Sequence, residues 1–213
     1  AEALTRNLGG FARFLDTAAL TSGEWINYSK LASDTEVPKE TIRRFFGVLE
    51  DTLLIYRLPP FRPRLRRSRR ISQRDRFVFF DVGVRNALLG LHRDPPGPDR
   101  IGPAFEQWMI AQIACLNRAL RKNWLLSSYR TEGGAEVDLV IETGREVIGV
   151  EIKASRIVRP PDLRGLASLA ETVGRYKPVS RYVAYRGAEV QVFEPKVRAL
   201  PYQALLHELA AKP

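Results

Sequence analysis

The sequence predicts an α/β protein in two parts: an N-terminal winged helix–turn–helix over residues 1–94 and an α/β sheet domain over residues 95–213. Three observations predict it. Short amphipathic stretches in the first eighty residues precede two strand-like runs that flank an arginine-rich loop. The segment HRDPPGPDRIG, beginning at His92, then interrupts the pattern with Pro, Gly and Asp. Beyond it, helical and strand patterns follow one another as α-β-β-β-α-β, which argues for a sheet covered on both faces.

In the first part, Leu8, Phe11, Phe14, Leu15 and Ala18 recur at three- and four-residue spacing, marking a helix that Gly23 ends. A second short helix is expected over 28–33, with Leu31 and Ala32 facing inward. Pro38 suits the opening turn of a third. Its apolar positions are Ile42, Phe45, Phe46, Leu49 and Leu53, which leaves Arg43 and Arg44 exposed near its start. Two helices, a short turn and a basic hairpin with strands over 53–58 and 76–80 make the winged helix–turn–helix pattern. Asp81 then caps a helix that ends at Gly90. In the second part, a helix over 103–122 leads to strands over 124–129, 135–141 and 147–153. A helix over 162–175, strands over 181–186 and 189–193, and a helix over 202–211 complete the pattern. No internal repeat is evident.

Charge is concentrated in the hairpin. The chain has a formal net charge of +10, and residues 54–76 hold nine arginines against one aspartate, a local charge of +8. The rest is close to neutral. The loop FRPRLRRSRR, with Arg62, Arg64, Arg66, Arg67, Arg69 and Arg70, reads either as a solvated basic surface or as a wing tracking phosphates. Its place after a helix–turn–helix pattern favours DNA contact, joined by Arg43 and Arg44. Other chemistries are excluded. One cysteine, Cys115, leaves no disulfide framework or cysteine-rich zinc site, and its apolar neighbours predict a buried thiol. Two histidines far apart leave no histidine-centred metal site or triad. No apolar run approaches 18 residues and no signal peptide pattern opens the chain, so a cytoplasmic protein without membrane contact is expected.

The stretch GAEVDLVIETGREVIGVEIKAS, from Gly134, sets charges into two otherwise apolar strands. Strand residues two apart share a face, so Glu136 pairs in direction with Asp138, and Glu151 with Lys153. Val137, Leu139 and Ile141 should point the other way. A two-residue loop would set Glu136 against Glu151; a four-residue loop would set Asp138 against Glu151. Either gathers all four charged groups on one face. Opposed like charges destabilise a hairpin, and the repulsion can be offset by Lys153 together with a divalent cation. Oxygen-only ligation suits Mg²⁺ or Mn²⁺.

Asp138, followed after twelve residues by Glu151-Ile152-Lys153, resembles the PD-(D/E)xK core of restriction endonuclease-like folds. That family often adds a glutamate from the preceding helix, here Glu106 in FEQW; Val137 stands where the family name has proline. A longer ordered set is similar to the C-terminal region of uncharacterised bacterial and archaeal AAA+ type ATPases. It comprises NYSKLASDTEVPKETIRRFFGVLEDTLLIYRL, FVFFDVGVRNALLG, FEQW, YRTEGGAEVDLVIE and GVEIKAS. That region combines a winged helix with a restriction endonuclease-like αβββαβ domain. No GxxxxGK[ST] phosphate loop occurs in this chain. The resemblance therefore implies a fragment or a stand-alone relative, with an ATPase domain in the same or another chain as partner.

Two functions follow as expectations. In the first, a DNA-binding protein cleaves phosphodiesters with Mg²⁺ or Mn²⁺. Asp138 and Glu151 hold the ion, the Ile152 carbonyl and Glu106 add ligands, and Glu136 serves a second ion or an outer-shell water. Lys153 orients or helps deprotonate the attacking water. In the second, the nuclease-like domain is inactive and acts as a DNA-binding or interaction module of an AAA+ type ATPase, with Lys153 simply paired to Glu151.

Overall fold

Asn7, Asn27 and Asp81 each begin a helix by accepting a backbone N–H three residues on, from Gly10 at 3.0 Å, Lys30 at 3.1 Å and Val84 at 2.7 Å. Such caps stabilise a helix by about 1 kcal/mol each. The helices are α1 (Leu8–Leu20), α2 (Tyr28–Thr35) and α4 (Val82–Leu88), with α3 (Lys39–Asp51) starting after Pro38. These elements come from a computed structural model, which describes residues 7–63, 71–91, 93, 97–193 and 196–212. The loop arginines Arg64, Arg66, Arg67, Arg69 and Arg70 lie outside the described residues.

Strands β1 (Ile55–Leu58) and β2 (Arg76–Phe79) pair antiparallel, Ile55 opposite Phe79 and Leu58 opposite Arg76. Strand alternation gives this hairpin two buried sides. Ile55, Phe77 and Phe79 pack with Phe14, Phe45 and Phe46 of the helices. Leu58 and Val78 face the other way and join the core of the large sheet. The hairpin thus belongs to both cores. A buried polar triangle ties the same region together: Ser22 Oγ donates to Gln107 Oε1 at 3.1 Å and accepts from Phe79 N, while Gln107 Nε2 donates to the Phe79 carbonyl.

The long helix α5 (Pro98–Ala119) begins five residues before the expected 103. Pro98 suits a first helical position because its missing N–H has no helical partner there. The second half of the Pro- and Gly-rich segment is therefore helical, with Pro103 inside the helix. Strands β3 (Leu125–Arg130), β4 (Glu136–Glu142) and β5 (Val147–Lys153) follow. Then come a 3₁₀ turn (Pro160–Leu163), α6 (Arg164–Val173), β6 (Val179–Tyr185), β7 (Gln191–Phe193), β8 (Val197–Pro201) and α7 (Tyr202–Ala211). The sheet order is β3-β4-β5-β6-β8-β7. The first three strands are antiparallel, β6 and β8 run parallel to β5, and β7 returns antiparallel. Strand β8 was not expected, since five residues with exposed Arg198 and a terminal proline give no clear alternation.

The chain is thus a mixed α/β structure with a six-stranded mixed sheet. Helices α5 and α7 set Met109, Ile110, Ile113, Leu205 and Leu209 against Leu139, Ile141, Ile148, Val150 and Ile152 on one face. On the other face α6 sets Leu166, Leu169 and Val173 against Val137, Val140, Val147 and Val183. Each fully buried side chain of this kind stabilises by about 1.5–3 kcal/mol. Cys115, expected to be buried, is exposed. Ile113 and Ala114 face the core, and at 100° per residue the next position turns outward. Among the described residues, no helix is long and apolar enough to cross a membrane.

Helix α6 crosses β4 at Gly165, where an added Cβ would lie 1.5 Å from the Glu136 carbonyl oxygen. Only hydrogen fits there, so Gly165→Ala must push α6 off the sheet beside the acidic residues of β4. The expected loss is about 1–3 kcal/mol, read by chemical denaturation. Gly47, inside α3, is the contrast, since an added Cβ there would meet nothing within 4 Å among the described residues beyond its own chain neighbours and helix backbone. Gly47→Ala should stabilise by about 0.5–1 kcal/mol. Equal effects at the two positions would contradict this packing.

Candidate functional site

Asp138 owes its position to an irregularity in β4. The β3–β4 ladder pairs Ser127 with Val140 but Tyr129 with Val137, so Ser128 stands opposite two residues, Asp138 and Leu139. The extra residue is a bulge, a device that re-aims a side chain. Ser128 turns its backbone to the segment after β1 instead, donating to the Pro59 carbonyl at 2.9 Å and accepting from Phe61 N at 2.8 Å. The bulge also corrects an expectation from simple alternation. Val137 packs on the α6 side of the sheet, while Leu139 and Ile141 pack on the α5 side.

The β4–β5 connection has four residues, Thr143 to Glu146, and its register pairs Glu142 with Val147 and Leu139 with Val150. One step further would place Asp138 against Glu151. The ladder stops there, and the Asp138 side chain takes over. Its Oδ2 accepts the Ile152 N–H at 2.7 Å. A strand residue directs its N–H and C=O to the same neighbour, so the Ile152 carbonyl also faces the opening between the strands.

Glu151 is buried, at 8% exposure. Its Oε1 lies 2.8 Å from Lys153 Nζ, and its buried Oε2 has no hydrogen-bond partner among the described residues. Burial, reinforced by the Asp138 charge, pushes the Glu151 carboxyl up to about 8 against the pull of Lys153. Burial draws Lys153 down, yet Glu151, Asp138 and Asp162 together leave it raised. Asp162 Oδ1 stands 4.0 Å from Lys153 Nζ. From α5, Glu106 enters the cluster; burial and then Asp138 push it up to about 7, against Arg76 and Lys153.

Sequence reasoning missed two residues of this site: Arg76, and Asp162 beside Lys153. Arg76 Nη2 contacts Glu106 Oε1, Nη1 donates to the Asp138 carbonyl at 3.3 Å and lies 4.0 Å from Asp138 Oδ1, and Nε donates to the Gly23 carbonyl. A signal did exist for Arg76. Arg76 lies two residues before Val78, so it shares the side of β2 that faces the large sheet. Glu136, by contrast, is exposed and paired with Arg130 at 3.0 Å, and it alternates with Val137 onto the face opposite that of Glu151 and Lys153, so the four charged groups do not share one face as expected. Of the expected DNA-contacting residues within the described range, Arg43, Arg44 and Arg62 are exposed. Arg43 pairs with Glu40 at 3.6 Å and lies over the Tyr28 ring at 4.3 Å.

The cluster sits almost wholly within one recognisable stretch. Residues 101–205 match a family model described as a domain of unknown function, DUF4143. The chain carries a DUF4143 domain. Glu106, Asp138, Glu151, Lys153 and Asp162 fall inside it, whereas Arg76 lies in residues 1–94, which match a second domain of unknown function, DUF8612. Two curated proteins, from Mycobacterium bovis and Mycobacterium tuberculosis and both described as uncharacterized, are each 30% identical over 137 residues. The match takes in 62% of this chain, but only 29% of either relative's length. No solved structure matches.

The donor set can be tested against a divalent ion. Among the described residues, no group of three or more His, Cys, Asp or Glu side chains is gathered to hold a metal ion as it stands. Glu106 is engaged by Arg76. Asp138, Glu151 with its unpartnered buried oxygen, and the Ile152 carbonyl remain as an all-oxygen set. Mg²⁺ commonly takes one or two carboxylates and completes its shell with water, so this smaller set in the DUF4143 domain fits.

The raised carboxyls predict a pH dependence. A group whose folded pKa exceeds its unfolded value gives stability that is complete below about pH 4.3 and is lost as pH rises through the folded value. For Glu106 and Glu151 that loss runs up to about pH 7 and about pH 8. Glu151→Gln should therefore melt less steeply with pH than wild type, and gain relative to it between pH 5 and 8.5. Thermal melts across that range test this; parallel profiles would contradict the burial argument.

Proposed function

We propose that the protein is a DNA-binding phosphodiesterase in which a restriction endonuclease-like core of the PD-(D/E)xK type cleaves with Mg²⁺ or Mn²⁺. The observation that carries this reading is the meeting of Glu106, Asp138, Glu151 and Lys153 where β4 and β5 part, with Glu151 Oε2 buried and without a partner among the described residues. An acidic cluster that leaves a buried carboxylate oxygen without a partner is short of positive charge, and a cation supplies it.

Asp138 and Glu151 would hold the ion with the Ile152 carbonyl. When bound, the metal supplies Lewis acidity toward the phosphate and a water of lowered pKa. Lys153, held by Glu151 at 2.8 Å, would orient the attacking water and balance charge as the ester P–O bond breaks. The Ile152 N–H fixes one oxygen of Asp138, so the carboxylate is oriented before any ligand arrives. Glu136 takes no part in this proposal, since it is exposed and directed to the other sheet face from Glu151 and Lys153.

The first part of the chain would supply affinity. Helices α2 and α3 with the β1–β2 hairpin are read as a winged helix–turn–helix, its exposed Arg43 and Arg44 at the start of α3 and its arginine-rich loop acting as the wing. Phosphate contacts of this kind give binding that depends on salt more than on sequence. An AAA+ type ATPase domain, in the same or another chain, is the proposed partner, by the resemblance of the ordered motifs. A second reading has one observation in its favour: Arg76 and Lys153 already pair with Glu106 and Glu151. On it, the domain is an inactive DNA-binding or interaction module.

Cleavage decides between the readings. With plasmid, single-stranded and branched DNA and millimolar Mg²⁺ or Mn²⁺, wild-type protein should cleave. Lys153→Ala should lower cleavage by at least ~10²-fold with DNA affinity nearly unchanged, a loss typical of a group acting on proton transfer. Asp138→Asn should lose metal binding as well. Absence of wild-type cleavage on all three substrates, with identical melting in the presence and absence of metal, leaves the inactive module.

Binding is tested separately. Replacing Arg66, Arg67, Arg69 and Arg70 with glutamine should reduce the slope of log affinity against log salt by about 0.9 for each lost phosphate contact. An unchanged slope would return the loop to a solvated basic surface.

A further inference from the structure

Arg76 is a buried guanidinium, 8% exposed, set between two acidic residues from different elements. Its position is fixed from the opposite side. Nε donates to the carbonyl of Gly23, which lies between α1 and α2 with φ +90°. Glycine adopts that backbone without strain. The same connection is stitched to β2, since Gly23 N donates to the Phe77 carbonyl and Ile26 N to the Asp75 carbonyl, both at 2.8 Å. Arg76 therefore ties the turn that precedes α2 to Glu106 of α5 and Asp138 of β4. A planar guanidinium suits this, because its donors diverge in a rigid fork.

We propose that Arg76 is the resident counter-cation of the carboxylate site, holding Glu106 and Asp138 in place without a divalent ion and competing with that ion for them. This rests on the cluster being a metal site. A cation beside these carboxylates lowers their attraction for any second cation. Releasing Glu106 from Arg76 would add a third carboxylate to Asp138 and Glu151. Arg76 would then face the opening as an unpaired fork, the geometry that recognises phosphate oxygens. Metal and the phosphate backbone should accordingly favour each other's binding through this one side chain, and the coupling must be reciprocal.

The test uses the full chain without DNA. Mn²⁺ binding, followed by loss of the free-ion electron paramagnetic resonance signal, is compared among wild type, Arg76→Gln and Arg76→Lys, with far-ultraviolet circular dichroism as the check on folding. Arg76→Gln should bind Mn²⁺ at least ~10-fold more tightly, and Arg76→Lys, which keeps the charge, should stay within ~3-fold of wild type. A folded Arg76→Gln that binds no tighter than wild type overturns the competition while leaving the metal site intact. Absence of Mn²⁺ binding in wild type and both variants instead overturns the metal site itself. Should Arg76→Gln fail to fold, the wild-type protein still decides. Its Arg76 guanidinium nitrogen resonances should shift when Mg²⁺ saturates the site, and unchanged resonances at saturation contradict the proposal.

Discussion

The contact between the Asp138 carboxylate and the Ile152 N–H organises the site. Two antiparallel strands normally satisfy each other's backbone groups, and a pair that separates leaves buried donors without partners. Here the β4–β5 ladder ends at Leu139 and Val150. A side chain replaces the missing carbonyl at 2.7 Å, so the strands can part without leaving the Ile152 N–H unsatisfied. The opening this creates is lined by what β5 presents next: Glu151, the Ile152 carbonyl and Lys153. The β4 bulge and the parting of the strands are thus two sides of one device. One re-aims Asp138, and the other makes room beside it.

Burial then makes the opening chemically tense. The helices on both faces exclude water from Glu151 and Glu106, which raises both carboxyls, and Asp138 adds its own charge. Lys153 and Arg76 offset part of this from opposite directions, one along β5 and one from the β1–β2 hairpin. The hairpin has this reach because its two sides enter two different cores. Helices, hairpin and sheet are therefore joined at the carboxylates.

Much of this was legible because strands and helices have fixed periods. The charged positions at 138, 151 and 153 stand out against Val and Ile at alternate places, and a four-residue connection sets their register. Glu106 was legible only through its resemblance-derived place on the helix before them. What alternation could not convey was the bulge: an extra residue in β4 reverses the side-chain direction between Val137 and Leu139 and leaves Glu136 with Arg130. Arg76 was obscured for another reason. It belongs to a run of nine arginines, and its partners at Gly23, Glu106 and Asp138 are set by tertiary packing of distant segments. The five-residue β8 follows the same rule, since packing overrode a weak local pattern, whereas the early start of α5 had a local signal in Pro98 at the first helical position.

The proposed cation between Asp138 and Glu151 is open to direct observation. Crystals of the protein grown with Mn²⁺ would be measured at a wavelength where manganese scatters anomalously. An anomalous peak is expected, bounded by the Asp138 and Glu151 carboxylates and the Ile152 carbonyl, with Arg76 drawn away from Glu106. No peak at saturating Mn²⁺, with Arg76 still on Glu106 and Lys153 on Glu151, would contradict a cation site in this opening.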